Sequence, residues 1–117
     1  MRLNEIKYND SVPIDGYGPG FFRIGGKVVE GPVLVFPTGV SPWGGFTDTA
    51  AIMERMTDVD VVFVGTGKEI AHLPAAFRST LEEAGIGVES MASPAACRTY
   101  NVLLSEGRRV AVALIPV

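Results

Sequence analysis

The run Val59-Asp60-Val61-Val62-Phe63-Val64 constrains this chain more than any other segment. It is nearly continuous in β-branched residues, with Asp60 its one charge. A strand with one wet face alternates polar and apolar residues; an unbroken apolar run marks a strand covered on both faces. The flanking segments must therefore supply two covering layers. Gly65-Thr66-Gly67 follows the run directly.

Three helices are expected to do the covering. Phe46, Ala50, Met53 and Met56 recur at helical spacing. Pro74 opens a second helix, where its missing N–H costs nothing; Phe77, Leu81 and Ala84 form the apolar stripe, and Gly85 suits the position after the last turn. Ser93-Pro94 starts a third, with serine as cap and proline in the first turn. Ala96, Tyr100 and Leu103 share one face of it, and Gly107 lies beyond its end.

Further strands are expected at residues 33–36, stopped by Pro37, around Val88, and at residues 110–115, ended by Pro116. Residues 37–45, with Pro42, Trp43, Gly44 and Gly45, are expected to form a loop. The order after residue 32 is β-α-β-α-β-α-β. It predicts an α/β fold: a three-layer single domain with a central mostly parallel (mixed) sheet and helices on both faces. Upstream, residues 21–24 and 27–30 around Gly25-Gly26 predict an extra N-terminal β-hairpin. Residues 1–20, rich in turn formers, are expected to run over the surface as an N-terminal arm with short strand contacts at most, leaving 21–117 as the domain.

At 117 residues the chain has the usual size of one domain. Its 47% hydrophobic and 20% charged residues suit a packed core rather than disorder. Ten Lys and Arg against thirteen Asp and Glu give a net charge of -3, without the basic footprint of a nucleic-acid binder. A local basic patch around Arg98, Arg108 and Arg109 is the minor alternative. The single cysteine, Cys97, cannot form an internal disulfide. No stretch approaches the ~18 apolar residues of a membrane span, and the first seven residues do not resemble a signal peptide. A cytoplasmic protein that is not an integral membrane protein is expected. Asn9-Asp10-Ser11 matches the glycosylation pattern, which means nothing without export.

Gly65-Thr66-Gly67 lies where open α/β sheets bind ligands and could bring backbone N–H groups to an anion. It could equally be a tight turn out of the sheet. The nucleotide signatures fail: a Walker pattern ending at Gly67-Lys68 needs glycine at 62 and Ser or Thr at 69, where Val62 and Glu69 stand, and a dinucleotide pattern needs glycine at 70, which is Ile70. Cys97, in the first turn of a helix beside Arg98, has features that lower a thiol pKa, but no visible base; a small core cysteine is the plainer assignment. His72 is the sole histidine and cannot build a zinc site alone. Asp58 with Asp60, and Glu82 with Glu83, read as solvated charges. Glu106 and Arg108 could orient the last turn, or Arg108 could meet an anion. Trp43 could cap a pocket, contact a partner or close the core.

The stretch from Pro94-Ala95-Ala96-Cys97-Arg98-Thr99-Tyr100-Asn101-Val102 to Arg108, with Ala113-Leu114-Ile115-Pro116, resembles the family called domain of unknown function 498. Gly31-Pro32, Pro37 with Trp43, and Val64-Gly65-Thr66-Gly67 fit the same resemblance, which covers roughly residues 15–117. Its relatives are archaeal Mth-type proteins, the mitochondrial complex I assembly factor 3 and a cytosolic adipogenesis-associated protein. The resemblance implies a three-layer fold with a mixed sheet containing one antiparallel strand. It also implies no established enzyme activity, cofactor or catalytic residues.

The expectation from residues and resemblance together is a non-enzymatic binding or assembly factor, with a role in respiratory complex I biogenesis carried over from the mitochondrial relative. The alternative is an enzyme binding a small molecule or anion at Gly65, Thr66 and Gly67, with Ser93, Arg98, Asn101 and Arg108 nearby. No catalytic residue, cofactor or metal is expected, no nucleic acid is expected as partner, and protein partners or self-association remain open.

Overall fold

The structure, a computed structural model, describes residues 6–7, 12–55, 57 and 59–117. Met56, Asp58, the Asn9-Asp10-Ser11 sequence and most of the arm's first eleven residues lie outside the described residues. The elements in chain order are β1 (Ile6–Lys7), β2 (Ile14–Gly18), β3 (Phe21–Ile24), β4 (Lys27–Glu30), β5 (Val33–Phe36), β6 (Gly39–Pro42), α1 (Ala50–Met53), β7 (Val61–Gly65), α2 (Ala75–Glu83), β8 (Gly87–Met91), α3 (Ser93–Ser105) and β9 (Val110–Leu114).

The main sheet is mixed, in the order β1-β6-β5-β9-β7-β8. β7 runs parallel to β8 and β9; β5 is antiparallel to both β9 and β6, and β6 is antiparallel to β1. The valine run forms β7 between two neighbours, buried from Val62 to Gly65 as its composition requires. Period-two alternation then sorts side chains between two cores. Leu34, Phe36, Val62, Val64, Ala111 and Ala113 face the layer made by α1, α2 and the Trp43 loop, where Ile52, Phe77 and Leu81 pack against them. Val33, Val35, Phe63, Val110, Val112 and Leu114 face the opposite layer, with Ala96, Cys97 and Tyr100 of α3. Each large side chain buried in either layer contributes about 1.5–3 kcal/mol from the removal of apolar surface from water.

The hairpin forms with Phe21 opposite Glu30 and Ile24 opposite Lys27. It has a third strand: residues 14–18, expected in the surface arm, pair with β3 as β2. Two long-range anchors hold this polar, glycine-rich segment. Ile14 is buried beside Phe22 and Ile24 in the α3-side core. The Asn101 side chain bonds the Ile14 backbone twice, accepting from its N–H at 2.8 Å and donating to its carbonyl at 2.9 Å. The small sheet therefore completes the layer that α3 begins.

Residues 37–45 also depart from expectation, because β6 folds back on β5 within this loop, burying Val40 and Ser41. β5 thus enters a hairpin rather than a parallel crossover. The first helix is shortened to the single turn of α1. Phe46 stays outside it and stacks edge-on against Trp43 and Phe77 at centroid distances of 5.7 and 5.4 Å. Trp43 closes the core: its ring is buried and its indole N–H donates to the Asp48 carbonyl at 2.9 Å.

Candidate functional site

β7, β8 and β9 end together at the residues singled out for a ligand loop. β7 brings Gly65, Thr66 and Gly67 to the carboxyl end of the parallel strands, and α3 places Ser93 against them. The approach is tight: a Cβ built on Gly65 would lie 2.6 Å from Ser93 Oγ and 2.8 Å from Ser93 Cα, so only glycine fits. Gly67 has φ +104, a conformation that side-chain-bearing residues rarely adopt.

The polar groups here are bonded to one another. Ser93 Oγ accepts from Gly67 N–H at 2.9 Å and donates to the Ile115 carbonyl at 2.6 Å. Ser93 N–H donates to the Gly67 carbonyl at 2.8 Å, and Ile115 N–H to the Gly65 carbonyl at 2.9 Å. Thr66 N–H donates to the Met91 carbonyl at 2.9 Å. The Thr66 hydroxyl donates to the Glu69 carbonyl at 2.7 Å and accepts from Ala71 N–H at 3.0 Å. The arrangement ties the start of α3 and the end of β9 to the loop after β7. Ser93, expected as a cap, makes no capping bond; Ala92 holds the cap position, because the serine hydroxyl is drawn into the tie.

The other candidates are placed elsewhere. Asn101, two turns along α3, is engaged by Ile14. Arg98 lines an apolar recess on the outer face of α3 with Thr99, Val102 and Leu103, about 430 Å³ in volume. Arg108 lies at the opposite end of the sheet, in a cleft of about 380 Å³ with Pro37, Thr38, Thr57, Leu104, Gly107 and Arg109. Arg109 is held there by the Thr57 carbonyl and, at 3.9 Å, by the Asp60 carboxylate. Glu106 and Arg108 form no ion pair among the described residues.

Cys97 is buried in the α3-side core. Burial pushes its thiol up to about 11, outweighing the pull of the Arg98 charge and a backbone hydrogen bond. The thiol is protonated at neutral pH and unsuited to nucleophilic attack. Burial also raises the Tyr100 phenol, whose hydroxyl has no hydrogen-bond partner among the described residues. His72 is exposed in the loop before α2. Among the described residues, no three His, Cys, Asp or Glu side chains gather as a metal site requires. No helix among them is long and apolar enough to cross a membrane.

Asp48 is the organising residue that sequence reasoning missed. Its carboxylate accepts from Gly44 N–H at 2.9 Å and from Ala51 N–H at 3.3 Å, while its carbonyl takes the Trp43 indole. An aspartate shortly before a helix is a recognisable start signal, but one turn of helix leaves little periodicity to attach it to.

The chain is 47% identical over 116 residues to an uncharacterised protein of Rhodobacter capsulatus, spanning 99% of this chain and 94% of that one. It is 34% identical over 110 residues to the NADH dehydrogenase (ubiquinone) 1 alpha subcomplex assembly factor 3 of Danio rerio. That match covers 88% of this chain and 63% of the assembly factor. A solved structure described as an outer membrane protein from Bartonella henselae superposes with a TM-score of 0.83 at 34% identity, covering 92% of this chain and 97% of that one. Residues 14–115 match the family described as protein of unknown function (DUF498/DUF598), and the chain belongs to that family.

Proposed function

We propose that this chain is a non-enzymatic protein-binding factor that serves the assembly of a respiratory NADH dehydrogenase. The observation that carries this reading is the likeness to assembly factor 3, which spans nearly the whole of this chain at 34% identity in Danio rerio and 32% in Rattus norvegicus. The chain corresponds to about two thirds of those relatives, so the assembly role is assigned to the shared domain. The state of the Gly65-Thr66-Gly67 loop supports a binding role over catalysis. The Thr66 N–H is bonded to Met91 of β8, the Gly67 N–H to Ser93 of α3 and the Thr66 hydroxyl to Glu69 and Ala71 within the loop, which leaves them unavailable to an anion without breaking those bonds. The protonated, buried thiol of Cys97 adds no nucleophile.

The test is removal of the gene from a bacterium that depends on a proton-pumping NADH dehydrogenase. The expected result is loss of the assembled complex on native gels, with its subcomplexes accumulating, and recovery when the chain is restored. A normal yield of active complex in the deletion strain would overturn the proposal.

A further inference from the structure

β8 ends the main sheet, with β7 on one side and, among the described residues, no strand on the other. Residues of a parallel strand alternate, each directing both its N–H and its C=O to the same side. Gly87 N–H bonds the Asp60 carbonyl and the Met91 carbonyl accepts from Thr66 N–H, so Gly87, Glu89 and Met91 face β7. Val88 and Ser90 therefore direct their backbone groups outward. Arg78 of α2 confirms this direction, since its guanidinium donates to the Val88 carbonyl at 3.2 Å. The Val88 N–H and both backbone groups of Ser90 have no backbone or side-chain partner among the described residues. Such an edge is a template for a further strand.

The side chains along the edge describe what would fit. On the α2 side, Ser90 joins Ile70, Ala71 and His72 around a recess of about 220 Å³, enough for one short apolar side chain. Ile70 beside it is 66% exposed, the most exposed large hydrophobic side chain among the described residues. On the other side of the strand Glu89 is exposed. Alternation along an added strand would thus set apolar side chains toward Ile70 and cationic ones toward Glu89. The outer strand of the small sheet, β4, also carries an exposed apolar side chain, Val28.

We infer that the β8 edge is a docking site for an extended segment of a partner protein that alternates short apolar and cationic residues, bonding Val88 N–H and Ser90 as an added strand. The inference rests on the protein-binding reading above and names its surface. A second copy of this chain is the less suited occupant. Two-fold pairing of β8 with Val88 opposite Ser90 sets Glu89 against Glu89, an unfavourable like-charge pair.

The test uses the purified chain and synthetic eight-residue Lys-Val repeats, with Glu-Val repeats and a backbone-N-methylated Lys-Val peptide as controls. In the free chain, the Val88 and Ser90 amides should exchange with solvent much faster than that of Glu89. The Lys-Val peptide should bind, protect those two amides and shift their NMR resonances; neither control should. Glu89→Lys should weaken binding roughly fivefold, in line with loss and reversal of one exposed ion pair. Ser90→Pro should abolish binding while keeping the fold, because it removes only an outward N–H. Should Ser90→Pro fail to fold, the N-methylated peptide tests the reciprocal bond, from the peptide N–H to the Ser90 carbonyl.

Slow exchange of Val88 and Ser90 in the free monomer would overturn the inference, as would binding unaffected by N-methylation. So would a concentration-dependent dimer that protects the same amides. None of these readouts involves the respiratory complex. A failed edge with a complex-deficient deletion strain leaves the assembly reading standing on another surface. A competent edge in a strain with normal complex overturns the assembly reading alone.

Discussion

The two ends of the parallel strands differ in how their polar groups are spent. At the carboxyl end, the loop after β7 meets Ser93, Met91 and Ile115 in a closed set of hydrogen bonds, with no room for a Cβ on Gly65. At the amino end, Arg108 borders an open cleft and has no side-chain partner among the described residues, while Arg109 ties the turn back to Thr57 and Asp60. Open α/β sheets usually bind ligands at the carboxyl end. Here that end is used as a clasp, and the lesson is that position in a fold offers a site without requiring its use.

The sharpest way to break this contrast is to force the clasp. Gly65→Val should cost roughly 3 kcal/mol or more, because it overpacks a position already touching backbone. Urea denaturation measures it, and a loss under ~1 kcal/mol would mean that the clasp yields. Ser93→Ala should cost about 2 kcal/mol by leaving the Gly67 N–H and Ile115 carbonyl without that hydroxyl.

The same end of α3 buries Cys97, which allows a test by pH. Its thiol titrates near 11 in the folded chain against an ordinary 9.0. The unfolded chain loses the proton first, so between those values the unfolded state binds fewer protons and stability falls as pH rises. The loss begins near pH 9, ends near pH 11, and should reach on the order of 2 kcal/mol. Comparison with Cys97→Ala isolates it, since that variant lacks this component of the slope. At the open end, Arg108→Ala should change stability by less than about 0.5 kcal/mol in the same denaturation assay, because its side chain is exposed and makes no ion pair or hydrogen bond among the described residues. A larger loss would show that the cleft too is structural.

Much of the architecture was legible because period and punctuation agreed. The valine run, the Phe77–Leu81 stripe, the Gly25-Gly26 turn and the Ser93-Pro94 start all lie in or beside the expected elements. β2 and β6 were not legible. Residues 14–18 contain Asp15, Gly16 and Gly18, and residues 39–42 are Gly-Val-Ser-Pro, so neither has strand propensity of its own. They are strands because each folds back on the neighbouring strand in the chain and its apolar residue, Ile14 or Val40, is buried in the core that α3 covers. The pairings are short-range, whereas the burial that favours them comes from elements far away in sequence.

The candidate loop shows the same division. Gly65, Thr66 and Gly67 could be located at a strand end from sequence alone, but not whether their groups face a ligand or each other.

Local chemistry decided where the chain turns, which runs are apolar enough to be covered, and that one small domain with a core forms at all. Tertiary structure decided which edge stays open at β8, which hydroxyl joins the clasp, and which arginine meets a carboxylate. The physical reason is range: periodicity and turn preference act over a few residues, while the bond between Ile14 and Asn101 joins positions 87 residues apart and exists only once the layers have packed.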